Sequence, residues 1–530
     1  MNNKYDVVIV GAGHNGLVCG AYLSKAGLRV CLVERREIIG GAAVTEEIYP
    51  GFKASTASYV MALLQPKIIM DLELKKFGFE VLAVPPAFHR MENGQSVLLW
   101  DDERRMAAEF SKISIKDGEA FIQYRNHLRT LKPHLQKLLW QIPVDITDTS
   151  LAKRLDTLKL AWKFRNIGVS FYDIYDLLTM SAYDYLSRWF ESDHIKTILG
   201  FYAGCAGGHF TSPKSPGTAF VLIRPVLRDL DTPAGPAGFM KGGMGAVSQS
   251  ILSSGQRYGM QVRTGGDVDS IIIKNGKATG VALATGEEIN GNIVVSNTSA
   301  RTTFTRLVAD SQLTEKFKKD VDNIRSESST FKLNVALDHL PDIVGFDAQA
   351  AGFSYPAQVR IAPSMDYMVK ALDDTGSQHF SVNPAMLMST PSIVDSTLAP
   401  EGKHVVNIIG SHAPYTLKGT TWDEQREPLL KTTLKTIEEF APGFSDAIIH
   451  TEILTPLDLE RRFDLPRGHI HHAEITSDQI FFKRPVPGYA DYRTPIDQLY
   501  LCGASNHPGG GVTGVPGYNA ASVILKDTKW

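Results

Sequence analysis

Cysteine is scarce in this sequence: four in 530 residues, at Cys19, Cys31, Cys205 and Cys502. They stand far apart, with no CxxC pair and no Cys/His ligand spacing. That excludes a disulfide framework and a clustered zinc site, and it points to a reducing compartment. An excess of one charge is also lacking. The 55 basic and 57 acidic residues leave a net charge of -2, and the basic residues are scattered, so nucleic acid is not an expected partner. No run of about 18 apolar residues occurs, so no membrane-spanning helix is expected. The start, "MNNKYDVVIVGAG", enters a strand within a few residues and leaves no room for a secretory signal. The expected location is the cytoplasm, or the mitochondrial matrix if the source is eukaryotic. Internal repeats, low-complexity tracts and obvious linkers are absent too.

What is present begins with a strand, a turn and a helix. Tyr5 to Val10 is a β-branched run, His14 to Lys25 reads as a helix stopped by Gly27, and Leu28 to Glu34 reads as a second strand. This alternation predicts a βαβ unit with parallel strands. Gly11, Gly13 and Gly16 form GxGxxG directly after the first strand. The first glycine permits the tight turn, the second lets backbone approach a pyrophosphate, and the third lets helix and strand pack closely. The phosphates then meet the helix N-terminus, where free N–H groups and the dipole favour negative charge. Glu34 ends the second strand, where a carboxylate accepts from ribose hydroxyls. Its charge disfavours a 2′-phosphate, and Arg35 beside it softens that exclusion. The pair Gly40-Gly41 follows at once, and it resembles the second motif of FAD enzymes in the glutathione-reductase-like superfamily.

Farther along, the texture changes. From about Glu103 to Ser212 long helical patterns dominate, rich in Leu, Trp and Tyr. Sheet texture returns near Val262, with hairpin turns at Asn275-Gly276 and Thr285-Gly286. Mixed strands and helices follow, and Leu499 to Lys526 is again strand, glycine-rich loop and helix. The expected fold is α/β. A Rossmann-like FAD-binding domain is assembled from residues 1–75, 216–300 and 456–530. A β-rich substrate domain takes residues 76–102 and 301–455, and a helical insertion at 103–215 serves as a lid for substrate or membrane.

Three motifs carry a family resemblance: "GAGHNGLVCGAYL", "GGMGAVSQSI", and the long C-terminal stretch from Arg467 through "LYLCGASNHPGGGVTGVPG". Together they resemble the phytoene dehydrogenase-related FAD oxidoreductases. The nearer branches are the FAD-type β-carotene ketolases and the pyridine nucleotide-disulfide oxidoreductase domain-containing proteins 2. The resemblance implies FAD contacts at Gly11, Gly13, Gly16, Glu34, Gly41, Val268, Gly503 and the loop Gly511, Val512 to Gly514. Many relatives carry Arg after the glycine pair. Here Ala42 stands instead, which leaves backbone contacts at that point. The implied activity is hydride transfer to flavin from a hydrophobic, isoprenoid or polyene substrate. A flavin-stabilised regulatory protein and an amine-oxidase-like enzyme are the alternatives.

Flavin accepts hydride itself, so a strong catalytic signature need not exist. None is found, and no catalytic residue is assigned. His209, His412, His469, His471, His472 and His507 are candidates for sites beside the flavin, with structural anchoring the commoner role. The HxHH spacing of 469–472 has no acid or cysteine set beside it, so no metal is expected. No second GxGxxG-acid unit exists for a nicotinamide cofactor. "KGGMGAVSQSI" lacks a preceding strand and a later acid, and reads as a helix N-terminus close to the cofactor or its substrate. Dithiol chemistry is not expected, because no two cysteines are close in sequence. The aromatic helical block carries Lys153, Arg154, Lys159, Lys163 and Arg165, a basic amphipathic pattern suited to peripheral membrane contact. The sequence assigns no oligomeric state.

Overall fold

The computed structural model describes residues 4–206, 210–223, 227 and 238–530. The first strand, Lys4–Val10, is the axis of the nucleotide domain. It pairs in parallel with Val30–Val33 on one side and Glu288–Ser296 on the other. Gln261–Arg263 extends one edge, and the hairpin Val268–Lys274/Lys277–Leu283 the other. Leu499–Leu501 adds a further parallel strand against the end of Glu288–Ser296, in register Val294 to Leu499. The seven strands thus draw on both ends and the middle of the chain.

Period-2 alternation splits this sheet between two cores. Val7 and Ile9 join the first helix, His14–Lys25, and the last, Val515–Thr528. Val8 and Val10 face the other side, with Phe304, Leu307 and Phe317. Residues from 301 to 324, expected in the substrate domain, therefore pack into the nucleotide domain. Thr218–Ile223 moves the opposite way: Ala219, Val221 and Leu222 bury among the inserted helices, because their apolar side chains complete that bundle.

A second seven-stranded sheet lies beyond. Its order is Ile448–Leu454, Phe331–Leu337, His404–Gly410, Met386–Ser389, Gln358–Ile361, Ala87–Arg90 and Ser96–Leu99. Pairing is antiparallel except between Gln358–Ile361 and Ala87–Arg90. The inserted helices, from Glu103 to Gly204, enclose a core of their own around Phe110, Tyr124, Leu128 and Tyr185. Among the described residues, no helix is long and apolar enough to cross a membrane.

Candidate functional site: a dinucleotide cleft between two sheets

One cleft runs from the nucleotide sheet to the second sheet. At its near end stand Gly11, Gly13, Glu34 and Val268. Glu34 is 8% exposed. Its Oε2 accepts from the Ala12 N–H at 2.8 Å and its Oε1 from the Arg36 N–H at 3.0 Å. These bonds aim the carboxylate, and each oxygen keeps acceptor capacity for a ribose hydroxyl. Arg35 also lines the cleft, with its guanidinium donating to the carbonyls of Arg461 and Arg462 at 3.3 Å. That ties this end of the cleft to the helix Pro456–Phe463.

The first helix opens at Gly13 with no side-chain cap. Its first residues, His14 and Asn15, line the cleft, and the buried His14 Nε2 and Asn15 Oδ1 have no hydrogen-bond partner. A buried helix terminus left in this state needs a ligand. Gly41 and Ala42 form the facing wall. These residues fit a dinucleotide pyrophosphate.

The glycines divide by job. Gly11, Gly13, Gly41, Gly511 and Val512 line the cleft with Ala42, and Gly510 joins them. Gly16, Gly503 and Gly514 do not, and packing explains each. A Cβ at Gly16 would lie 2.4 Å from the Gly11 carbonyl oxygen. At Gly503 it would lie 2.8 Å from the carbonyl oxygens of Asn297 and Thr298, and at Gly514 it would meet Ile68 and Leu64. These three hold the cleft's frame.

The helix Gly245–Gln256 is a correction. A two-residue strand, Phe239–Met240, does precede it, paired with Val81–Leu82. Its N-terminus is not open to a cofactor. The N–H groups of Gly242, Met244 and Gly245 donate to the Asp395 carboxylate, Ser55 Oγ and Thr45 Oγ1 at 2.7 to 3.0 Å.

At the far end, where the cleft meets the second sheet, stand Tyr59, Thr330, Lys332, Ile409, His471 and His472. Lys332 is the residue that sequence reasoning missed. In "FKLNVAL" it reads as an ordinary strand position. Its strand is paired on both edges, and Lys332 is 1% exposed. Its Nζ has no hydrogen-bond partner and lies 4.9 Å from the centre of the Tyr59 ring. Burial pushes it down to about 7, against the opposing pull of Glu452.

The histidines sort by place. His471 and His472 line the cleft. Burial, with Arg484 and His14 nearby, lowers His472 to about 3, so it is neutral. Arg484 is itself buried, and it donates to the carbonyl oxygens of His471, Glu474 and Ala504 at 2.8 to 2.9 Å. It thereby fixes two loops that wall the cleft. His507 lies outside the wall. Its Nε2 donates to the Leu138 carbonyl at 2.8 Å, which fastens the inserted helices to the glycine-rich loop. His412 and His469 are buried away from the cleft. His209 lies outside the described residues.

Two of the cysteines, Cys19 and Cys502, come from opposite ends of the chain and meet in the core behind the glycine turn, where the Cys502 thiol donates to Asn297 Oδ1 at 3.7 Å. Burial raises Cys502 well above the usual thiol range. Neither lines the cleft, so this pair is a packing contact. Among the described residues, no group of three or more His, Cys, Asp or Glu could hold a metal ion.

A Rossmann-type sheet with a buried carboxylate after its second strand, an uncapped helix terminus and a cleft prolonged onto a second sheet suits a dinucleotide; the protein is a flavin-dependent oxidoreductase, and its cofactor is FAD. A family model for the NAD(P)-binding Rossmann-like domain matches residues 9–70. Pyridine nucleotide-disulfide oxidoreductase domain-containing protein 2 of Rattus norvegicus is 39% identical, with 99% of this chain and 94% of that one covered. The chain belongs to that family. One of the subunits of limonene dehydrogenase from Castellaniella defragrans is 28% identical (98% and 94% covered), and the lycopene-forming phytoene desaturase of Pantoea ananas 24% (98% of each). Among solved structures, a putrescine oxidase redesigned for cofactor binding shares the fold, with a TM-score of 0.60, 13% identity, and 99% and 98% covered.

Proposed function

We propose that the protein is an FAD-dependent dehydrogenase that takes hydride from a C–H bond of an apolar, isoprenoid-like substrate collected at a membrane surface. The observation that carries this reading is the outer face of two inserted helices, Leu151–Lys163 and Ser170–Thr179. Leu151, Leu158, Trp162 and Tyr172 are 65% to 77% exposed there. Exposed apolar patches of this kind mark interaction sites. Arg154 and Lys159 are exposed in the same helix, and the Arg165 guanidinium stacks 3.8 Å from the Trp162 ring centre. Apolar residues with a basic rim suit an interface of anionic lipid.

The patch is mechanically tied to the cleft. Lys153 pairs with Asp491 at 2.9 Å, and Leu138 holds His507, three residues before Gly510. Limonene dehydrogenase and phytoene desaturase are named for hydrocarbon substrates, which supports the same class here. The flavin supplies a two-electron acceptor. The chain's part is to exclude water and hold a C–H bond at the far end of the cleft, where Ile409 and Leu63 supply apolar walls. A membrane surface facing the cytoplasm, or the mitochondrial matrix in a eukaryote, is the location that suits this reading.

Anaerobic mixing with isoprenoid hydrocarbons is expected to bleach the bound flavin. Bleaching by amines and not by hydrocarbons would replace this reading with an amine oxidase. In vesicle flotation, the protein is expected to bind phosphatidylglycerol vesicles. Leu158→Glu/Trp162→Glu is expected to weaken that binding at least tenfold with flavin content unchanged, since both side chains are exposed. Equal flotation of the variant would remove the membrane from the proposal.

A further inference from the structure

We propose that Lys332 is a catalytic residue: its ammonium faces the electron-accepting end of FAD and balances the negative charge that end gains on reduction. The direction of the cofactor follows from the cleft. Glu34 and the first helix hold the ribose and phosphate end in the nucleotide sheet, and the cleft then runs to the second sheet, where Lys332 stands on Phe331–Leu337. A buried lysine ordinarily has a carboxylate partner. The nearest candidate, Glu452 on the adjoining strand, is already engaged. Its carboxylate accepts from Arg462 at 2.6 Å and from the Asn334 amide at 3.1 Å. On the other edge, Lys332 pairs with Ile409, which offers no charge. Tyr59 presents its ring face, and Thr330, His471 and His472 are further polar groups at that end, none of them a carboxylate. The Nζ is therefore left for whatever fills the cleft.

The proton balance gives the proposal a signature of its own. Hydride brings two electrons and one proton to the cofactor and leaves one negative charge. Where Lys332 is already protonated, nothing further is taken up. Where it is neutral, it draws one proton from solvent as the charge forms, so two protons enter per electron pair. Burial places that change near pH 7. The proposal is independent of which apolar molecule is oxidised.

The test is the midpoint potential of bound FAD, measured anaerobically against reference dyes from pH 6 to pH 9. In the native protein the pH slope is expected to double as pH rises through about 7. Lys332→Met is expected not to steepen. It should also bind reduced relative to oxidised cofactor at least tenfold less favourably, lowering the potential by about 30 mV. Lys332→Arg is expected to keep the higher potential. A single slope in the native protein overturns the proposal whatever the variants do. A Lys332→Met protein with full flavin and an unchanged profile overturns it as well. A colourless native protein would instead sink the flavoenzyme reading.

Discussion

Gly517→Ala is expected to cost about 3 kcal/mol of stability and to strip the protein of FAD, although Gly517 does not itself line the cleft. The last helix, Val515–Thr528, packs across the first at Gly517. A Cβ there would lie 2.2 Å from the Asn15 carbonyl oxygen and 3.1 Å from the Cys19 nitrogen. Both are backbone atoms of a buried helix and have no rotamer to escape into. The helices must separate, and Asn15 lines the cleft at the start of the first helix. Urea unfolding and flavin released on denaturation check this. Gly376→Ala is the control: its Cβ would meet nothing within 4 Å, so no loss is expected. An unchanged midpoint and full flavin in Gly517→Ala would show that the two chain ends do not clamp the site.

The second large effect is acid lability. His14, His412 and His507 are lowered to about 4 by burial, and His89 and His472 to about 3. The folded state binds these protons more weakly than the unfolded chain, whose histidines titrate near 6.5. Stability is therefore full above pH 6.5 and falls as pH drops from 6.5 towards 4. A shift of this size is worth about 3 kcal/mol per residue, and a domain's whole margin is about 5–15 kcal/mol. Two or three protonations suffice, so cooperative unfolding is expected before pH 4. Thermal melts from pH 8 to pH 4 should show a steep fall in Tm, and a flat Tm down to pH 5 would refute the account. His89 is the best single probe. It is fully buried beside Arg360 and His194, with both ring nitrogens unpartnered, so His89→Leu should remove part of the pH dependence at little cost.

Much of the cofactor's first half was legible in local sequence. A β-branched run, GxGxxG, a helix and Glu34 are all set by neighbours a few residues apart. The hairpin glycines at 276 and 286 were equally readable, because a tight turn is a local demand. The middle helix at Gly245 misled for the same reason. Its glycines resemble a phosphate turn, and only the approach of Thr45, Ser55 and Asp395 shows that its N–H groups are already satisfied.

The sequence by itself determined the class of cofactor domain and the place of Glu34 at the end of its second strand, since turn geometry and period-2 burial act over short spans of chain. Only the tertiary structure decided which glycines wall the cleft, that Cys19 meets Cys502, and that Lys332 is buried without a carboxylate. Those outcomes depend on which distant strands become neighbours. A lysine on an edge strand is solvated; the same lysine between two paired strands, with Glu452 held by Arg462, is left facing the cleft.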